Sequence, residues 1–366
     1  MKILMIGEFS GYFNCLKVGF EKLGHEVYLV SGGDGVKNYP SDFRWDSHLH
    51  LGRLQPFYNY ANLLLHLPKL TGYDVVLFIS PRLFGRHSRT NKPVYDYLMK
   101  HNKLSYVVGT GLYNYSFKFW YEKTDSKYYG YTSAYIKAAR TQREREHYSS
   151  KEGLQWEKYL MPRLTGIIPI WYEYAEPYRN FPNLKKTIRT PIEIEKFQYS
   201  PNVLRNGKVV FFHGLSRPCK GGEYILAAFD RLREKHKNDA EFIAAGGLPF
   251  DEYMKIINRT NVVVDDANSY SFCMNAFFSM LKGKVVMGGA EPEGNNELEY
   301  EDVPVVNITA NVDQICDAIE SVIAKKDQLL EWGLKSRKFV EKYHNCSDIA
   351  QKFIDQFNSD LVNLNS

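Results

Sequence analysis

Lys208-Val209-Val210-Phe211-Phe212-His213-Gly214-Leu215-Ser216-Arg217-Pro218-Cys219-Lys220-Gly221-Gly222 decides the fold. The apolar run at 209–212 is short, β-branched and aromatic. That is the signature of a strand buried on both faces, as in a parallel sheet. His213 and Gly214 end it. After Gly221 and Gly222, residues 223–236 carry Ile225, Leu226, Phe229 and Leu232 at helical spacing. Strand, glycine-punctuated loop and helix make one half of a βαβ unit, whose crossover is right-handed.

The same rhythm continues toward the C-terminus. Strands are expected at 241–245, 261–265 and 284–287, with helices at 250–258 and 276–282 and a helical tail from Val312. It also holds toward the N-terminus. Residues 2–6 form a strand, 13–23 a helix stopped by Gly24, and 26–30, 73–79, 104–108 and 166–170 further strands. A helix is expected at 94–101. Residues 113–160 are different, rich in Tyr, Lys, Arg and Glu with little strand character, and read as helices and loops. Pro177, Pro182, Pro191 and Pro201 mark a connector. Two consecutive strand–helix series predict an α/β protein with two Rossmann-like, doubly wound parallel sheets. The expected domains are residues 1–187 and 188–345, with a helix at 346–366 packing back toward the first.

Length and composition agree. A chain of 366 residues exceeds what one core usually serves, and 44% hydrophobic residues can fill two. A net charge of +5 gives no argument for nucleic acid. Cys15, Cys219, Cys273, Cys316 and Cys346 are odd in number and widely spaced, which suggests neither a disulfide framework nor a metal site and fits a reducing compartment. The apolar run at 3–6 stops at Gly7, too soon for a signal peptide. The expected location is the cytoplasm.

Ligands of open α/β sheets bind at the carboxyl ends of the strands. The loop after 208–212 sets Arg217 and Lys220 beside Gly214 and Gly221, ahead of a helix. Helix N-terminal N–H groups and two cations suit a diphosphate. The alternative is a solvated loop. His213 is the histidine expected to touch ligand; His25, His66 and His101 read as structural. A second cluster, 288–297, offers Glu291, Glu293 and Glu297 to sugar or ribose hydroxyls, or is a solvated acidic turn. A third, 265–271, brings Asp265, Asp266 and Asn268, with Asn275 close by in sequence. The adjacent aspartates would point apart in a strand, so hydrogen bonding to ligand or backbone is expected over metal binding. In the first half, Gly11 is a candidate for backbone contact with ligand, and Glu8 lies in the same loop.

The second half resembles the donor-binding domain of GT-B glycosyltransferases, especially family 4. Residues 188–197 resemble that family's interdomain segment. Residues 212–222 resemble its G-R-L-x-x-x-K-G diphosphate loop, 276–289 its helix-and-strand motif, and 336–343 its closing helix. The resemblance covers roughly residues 188–355. It implies two domains facing a cleft and metal-independent transfer of a sugar from a UDP- or GDP-linked donor, itself a substrate, with no cofactor. Retention of configuration, a glycan or lipid-linked acceptor, and a role in surface polysaccharide or glycoconjugate synthesis are further implications. Arg217, Lys220 and Glu297 would act on the leaving group and donor. Gly11, His213, Gly214, Gly221, Asn268, Asn275, Glu291 and Glu293 would bind the donor. The chain departs from the family too. Leu215 follows the first Gly of the loop where the family has Arg. Tyr270 and Phe278 stand where the family carries two glutamates, and no His lies near residues 109–111. An inactive relative that binds nucleotide sugar or a protein partner, and a nucleotide-sugar epimerase, are the other readings. The basic aromatic segment 113–158 fits peripheral contact with the inner face of a membrane, or a solvated helix face.

Overall fold

The computed structural model describes residues 1–46, 51–84, 88–139, 141, 145, 148–215, 218–248 and 250–365. The chain divides into two compact units. The first comprises Met1–Phe119, Thr141–Glu193 and His344–Ser366; the second comprises Trp120–Arg140 and Ile194–Tyr343.

The first unit holds six parallel strands: β1 (Lys2–Ile6), β2 (Glu26–Ser31), β3 (Phe43–Arg44), β4 (Val75–Phe78), β5 (Leu104–Gly109) and β6 (Gly166–Pro169). Their spatial order is β3-β2-β1-β4-β5-β6. That order reverses between β1 and β4, as in dinucleotide-binding folds. Alternate residues of β1 face opposite layers. Ile3 and Met5 pack with Phe20, Phe353 and Phe357 on one side; Leu4 and Ile6 pack with Leu63, Tyr95 and Trp156 on the other.

The second unit holds β7 (Val209–Gly214), β8 (Ala240–Ala245), β9 (Val262–Val264), β10 (Val285–Gly288) and β11 (Val306–Asn307). All pair in parallel, in the order β11-β10-β9-β7-β8. Here the winding reverses between β7 and β9, so their carboxyl ends diverge into a crevice. Phe211, Phe229, Val262, Met287 and Ile319 fill its main core.

Boundaries differ from the sequence expectation at several places, the smallest being residues 344–345, which fall in the first unit. Residues 188–193 stay with the first unit, because Ile188 is in its core and the Ile192 N–H donates to the His344 carbonyl at 2.8 Å. Residues 120–140, expected in the first half, belong to the second unit. Trp120 is fully buried, its ring 5.8 Å from that of Tyr270. A further difference is the helix expected at 94–101, which begins at Ser88 and runs through Pro93 to His101.

Candidate functional site

The crevice of the second unit is built by the loops after β7, β9 and β10. The β7 loop ends in a 3-10 turn, Pro218–Lys220, and then Gly221, which caps the helix Gly222–Arg233 in the left-handed region at φ 70°. A side chain is disfavoured in that conformation, so glycine lets the chain turn directly into the helix. The Gly222 and Glu223 N–H groups have no partner among the helix's own carbonyls and point out of its start, while the Tyr224 N–H donates to the Gly221 carbonyl at 3.1 Å. The β9 loop braces the turn. The Ala267 N–H donates to the Lys220 carbonyl at 3.0 Å, and Asn268 Nδ2 donates to the Cys219 carbonyl at 2.8 Å.

Arg217 lies outside the described residues. Lys220 has a partner that the sequence reading did not foresee. Its Nζ donates to Asp265 Oδ1 at 2.6 Å, and the side chains are 14% and 6% exposed. Burial alone would lower the Lys220 pKa, but Asp265, Cys273 and Asp266 outweigh it and the pKa is raised. Burial alone would raise that of Asp265, yet Lys220 and three hydrogen bonds hold it below the ordinary range. Both directions describe one closed ion pair, as a buried ammonium needs a counter-charge. Asn275 Nδ2 also reaches Asp265 Oδ1 at 3.3 Å. The aspartates do not sit in the strand, which ends at Val264; Asp266 Oδ1 instead accepts the Asn268 N–H at 2.9 Å. No group of three or more His, Cys, Asp or Glu able to hold a metal occurs among the described residues.

His213 is 2% exposed, and its Nδ1 lies 2.8 Å from the Val264 carbonyl. A carbonyl only accepts, so Nδ1 carries the proton and Nε2 is left as an acceptor. Burial lowers its pKa. A Cβ on Gly222 would lie 3.0 Å from Nε2, so the ring packs beside the helix start. Gly214 ends β7, and the Leu215 N–H behind it is bonded to Ala245.

A cavity of about 750 Å³ opens beside this loop, entirely within the second unit. Asn268, Tyr270, Glu291, Glu293 and the helix-start residues Glu223 and Tyr224 form part of its lining. The opposite wall is the helix Lys127–Ala138, which presents Gly130, Ser133 and Ala134. That helix is held at its first residue. Lys127 Nζ donates to Glu291 Oε1 at 2.7 Å and to the Ile308 carbonyl at 2.8 Å. At Gly130 it passes so close that a Cβ would come within 2.6 Å of Asn268 Oδ1.

Lys220, Gly221, His213, Asn268 and Asn275 thus gather around the β7 and β9 ends, and Glu291 and Glu293 reach the cavity. Glu297 ends the short helix Pro292–Glu297 and does not line it. Gly11 belongs to the first unit, capping the helix Tyr12–Lys22 at φ 80°. Glu8 beside it is a helix brace, its carboxylate accepting the Asn14 N–H at 2.9 Å and that of Phe9 at 2.7 Å. Tyr270 packs on Trp120, and Phe278 stacks on Phe197 at 4.8 Å, so neither family glutamate position offers a carboxylate. The sequence reading missed Lys127 and Gly130. Their signal was small residues at helical spacing (Gly130, Ser133, Ala134, Ala138) inside an otherwise bulky, charged stretch.

No family model and no curated protein matches the chain. Solved structures do. Sucrose-phosphate synthase from Thermosynechococcus elongatus is similar at a TM-score of 0.62 and 12% identity, over 99% of this chain and 100% of that one. HepE of Anabaena, solved with UDP and glucose, is similar at 0.59 and 13%, over 98% and 100%. A putative UDP-N-acetylglucosamine 2-epimerase from Listeria monocytogenes is similar at 0.53 and 12%, over 99% and 97%. The fold shared with these structures is the GT-B fold.

Proposed function

We propose that the chain is a GT-B glycosyltransferase, of the family 4 type, that takes a nucleoside-diphosphate sugar as donor. The observation that carries this reading is the crevice at the β7/β9 reversal: a left-handed Gly221 opening a helix N-terminus beside a cavity large enough for a sugar nucleotide. The neighbours HepE and sucrose-phosphate synthase support it, HepE having been solved with UDP and with UDP-glucose. UDP is therefore the first donor base to test and GDP the second. Glycan or lipid-linked acceptors, retention of configuration, independence of metal and cofactor, and work at the inner face of a membrane in surface-polysaccharide or glycoconjugate synthesis complete the reading.

In the transfer, negative charge grows on the departing diphosphate. Preorganised donors stabilise that charge. The Gly222 and Glu223 N–H groups at the start of the Gly222–Arg233 helix, with Arg217, would supply them. Lys220 acts from behind. It neutralises Asp265, which otherwise would repel a phosphate, and holds the loop in shape. Asn268, through Oδ1, and the carboxylates of Glu291 and Glu293 would accept from hydroxyls of the sugar.

Lys220→Ala is consequently a poor probe, because it strands Asp265 in a buried position at a cost of roughly 3–5 kcal/mol. Arg217→Ala is the cleaner one. Calorimetric titration of UDP and UDP-glucose should show binding to the wild type and about tenfold weaker binding to Arg217→Ala. A wild type that binds no nucleoside diphosphate would overturn the reading. Binding without nucleotide release in the presence of glycan or lipid-linked acceptors would favour a second reading, an inactive relative that retains the pocket. The closed Lys220–Asp265 pair and the aromatic residues at 270 and 278 are the observations on its side. Conversion of the donor into another sugar without acceptor would indicate an epimerase.

A further inference from the structure

The helix Gln55–His66 in the first unit is built against expectation. Its buried side carries polar groups as well as Leu63. Asn62 Nδ2 donates to the Trp45 carbonyl at 3.1 Å, and Gln55 Nε2 donates to Asn59 Oδ1 at 2.7 Å. Its solvent side is apolar. Leu54 is 67% exposed, Phe57 73% and Leu65 82%, with Tyr58 also exposed. At 100° per residue these positions, with Ala61, fall on one stripe. An exposed apolar stripe of this kind marks an interaction surface, because leaving it in water costs free energy that a partner would recover.

The charge around it selects the partner. No Asp or Glu occurs between Asp46 and Asp74, while Arg53 stands at the start of the stripe and Lys69 beyond its end. Both are exposed. The basic aromatic segment 113–158, read from sequence as either a membrane-contacting surface or a solvated helix face, buries its largest aromatics, Trp120, Tyr128 and Trp156. We propose that the Leu54–Phe57–Tyr58–Leu65 stripe, with Arg53 and Lys69, docks this protein on an anionic phospholipid surface. The helix lies flat at that surface. Phe57 and Leu65 enter the acyl boundary, Tyr58 sits at headgroup depth, and the two cations meet lipid phosphates. No helix among the described residues is long and apolar enough to cross a membrane, so attachment through this stripe would be reversible.

The test is co-sedimentation of the full chain with vesicles of phosphatidylglycerol and phosphatidylcholine in equal parts, against phosphatidylcholine alone. The wild type should sediment with the anionic vesicles, less so as salt is raised. Phe57→Glu and Leu65→Glu should each weaken the partition by about tenfold. Arg53→Glu with Lys69→Glu should weaken it on anionic vesicles only, by at least about fivefold. All four positions are exposed, so unchanged melting temperatures would confirm that folding is not the cause. Failure of the wild type to bind anionic vesicles, or full binding by Phe57→Glu and Leu65→Glu, would overturn the proposal. So would sedimentation-velocity evidence that the stripe pairs two copies of the chain, with Phe57→Glu splitting the dimer and no vesicle bound.

Discussion

Lys284 shows how a single buried charge can weigh on a fold. It precedes β10, is 3% exposed, and its pKa is lowered to about 8, first by burial and then by Arg205 and Lys282. In the unfolded chain it would hold its proton up to the ordinary 10.5. Below pH 8 both states are protonated and the folded state carries the whole penalty. Between 8 and 10.5 the unfolded chain binds more protons, so this group's contribution to stability rises with pH. The difference between 10.5 and about 8 corresponds to roughly 3 kcal/mol. Lys284→Met should therefore stabilise the second unit by up to about that amount at pH 7. The gain should shrink as pH rises through 8 and vanish by 10.5, as followed by denaturant unfolding at several pH values. A pH-independent gain would mean that packing, and not charge, decides.

At the scale of elements, the Lys127–Ala138 helix is the instructive case. Gly to Ala inside a helix ordinarily gains about 1 kcal/mol. At Gly130 the sign should reverse, because the new methyl meets Asn268, whose amide is held by the Cys219 carbonyl. Overpacking of this kind costs roughly 1–3 kcal/mol. Gly130→Ala should destabilise the second unit, and adding Asn268→Ala should return much of the loss; a simple gain would refute the close packing. This helix also marks where the sequence stops being legible. The strands ending in glycine and the helix at 222–233 could be read because burial on both faces leaves a plain apolar run. β3 and β11 could not, as two-residue strands carry no period. Nor could Lys220's partner be seen. Asp265 lies far along the chain, and only the parallel pairing of β7 with β9 brings the two loops together. The Gln55–His66 helix was missed because its apolar side faces out.

For the whole molecule, the two units have separate cores. Phe20, Tyr106, Ile349, Phe353 and Phe357 share one of them, and Tyr106 Oη donates to Asp360 at 2.6 Å. Phe353→Ala should cost about 3–5 kcal/mol. Amide exchange should then quicken across Lys2–Ile6 and Leu104–Gly109 while Val209–Gly214 and Val285–Gly288 stay protected. Equal acceleration in both units would show that they open as one.

The segmentation of these units has a consequence for how the protein is made. Unit one draws on three stretches of chain and unit two on two, so the polypeptide passes between them at 119/120, 140/141, 193/194 and 343/344. On the ribosome, β1 to β6 emerge long before Ile349, Phe353 and Phe357, which cover one side of their sheet. All of residues 194–343 is synthesised in the interval. The earliest-made half of the protein must wait, with an apolar face open, for the last helix to arrive. At a synthesis rate of roughly 5–20 residues per second that wait lasts about ten seconds or more, which is the period when a chaperone would find the chain most easily.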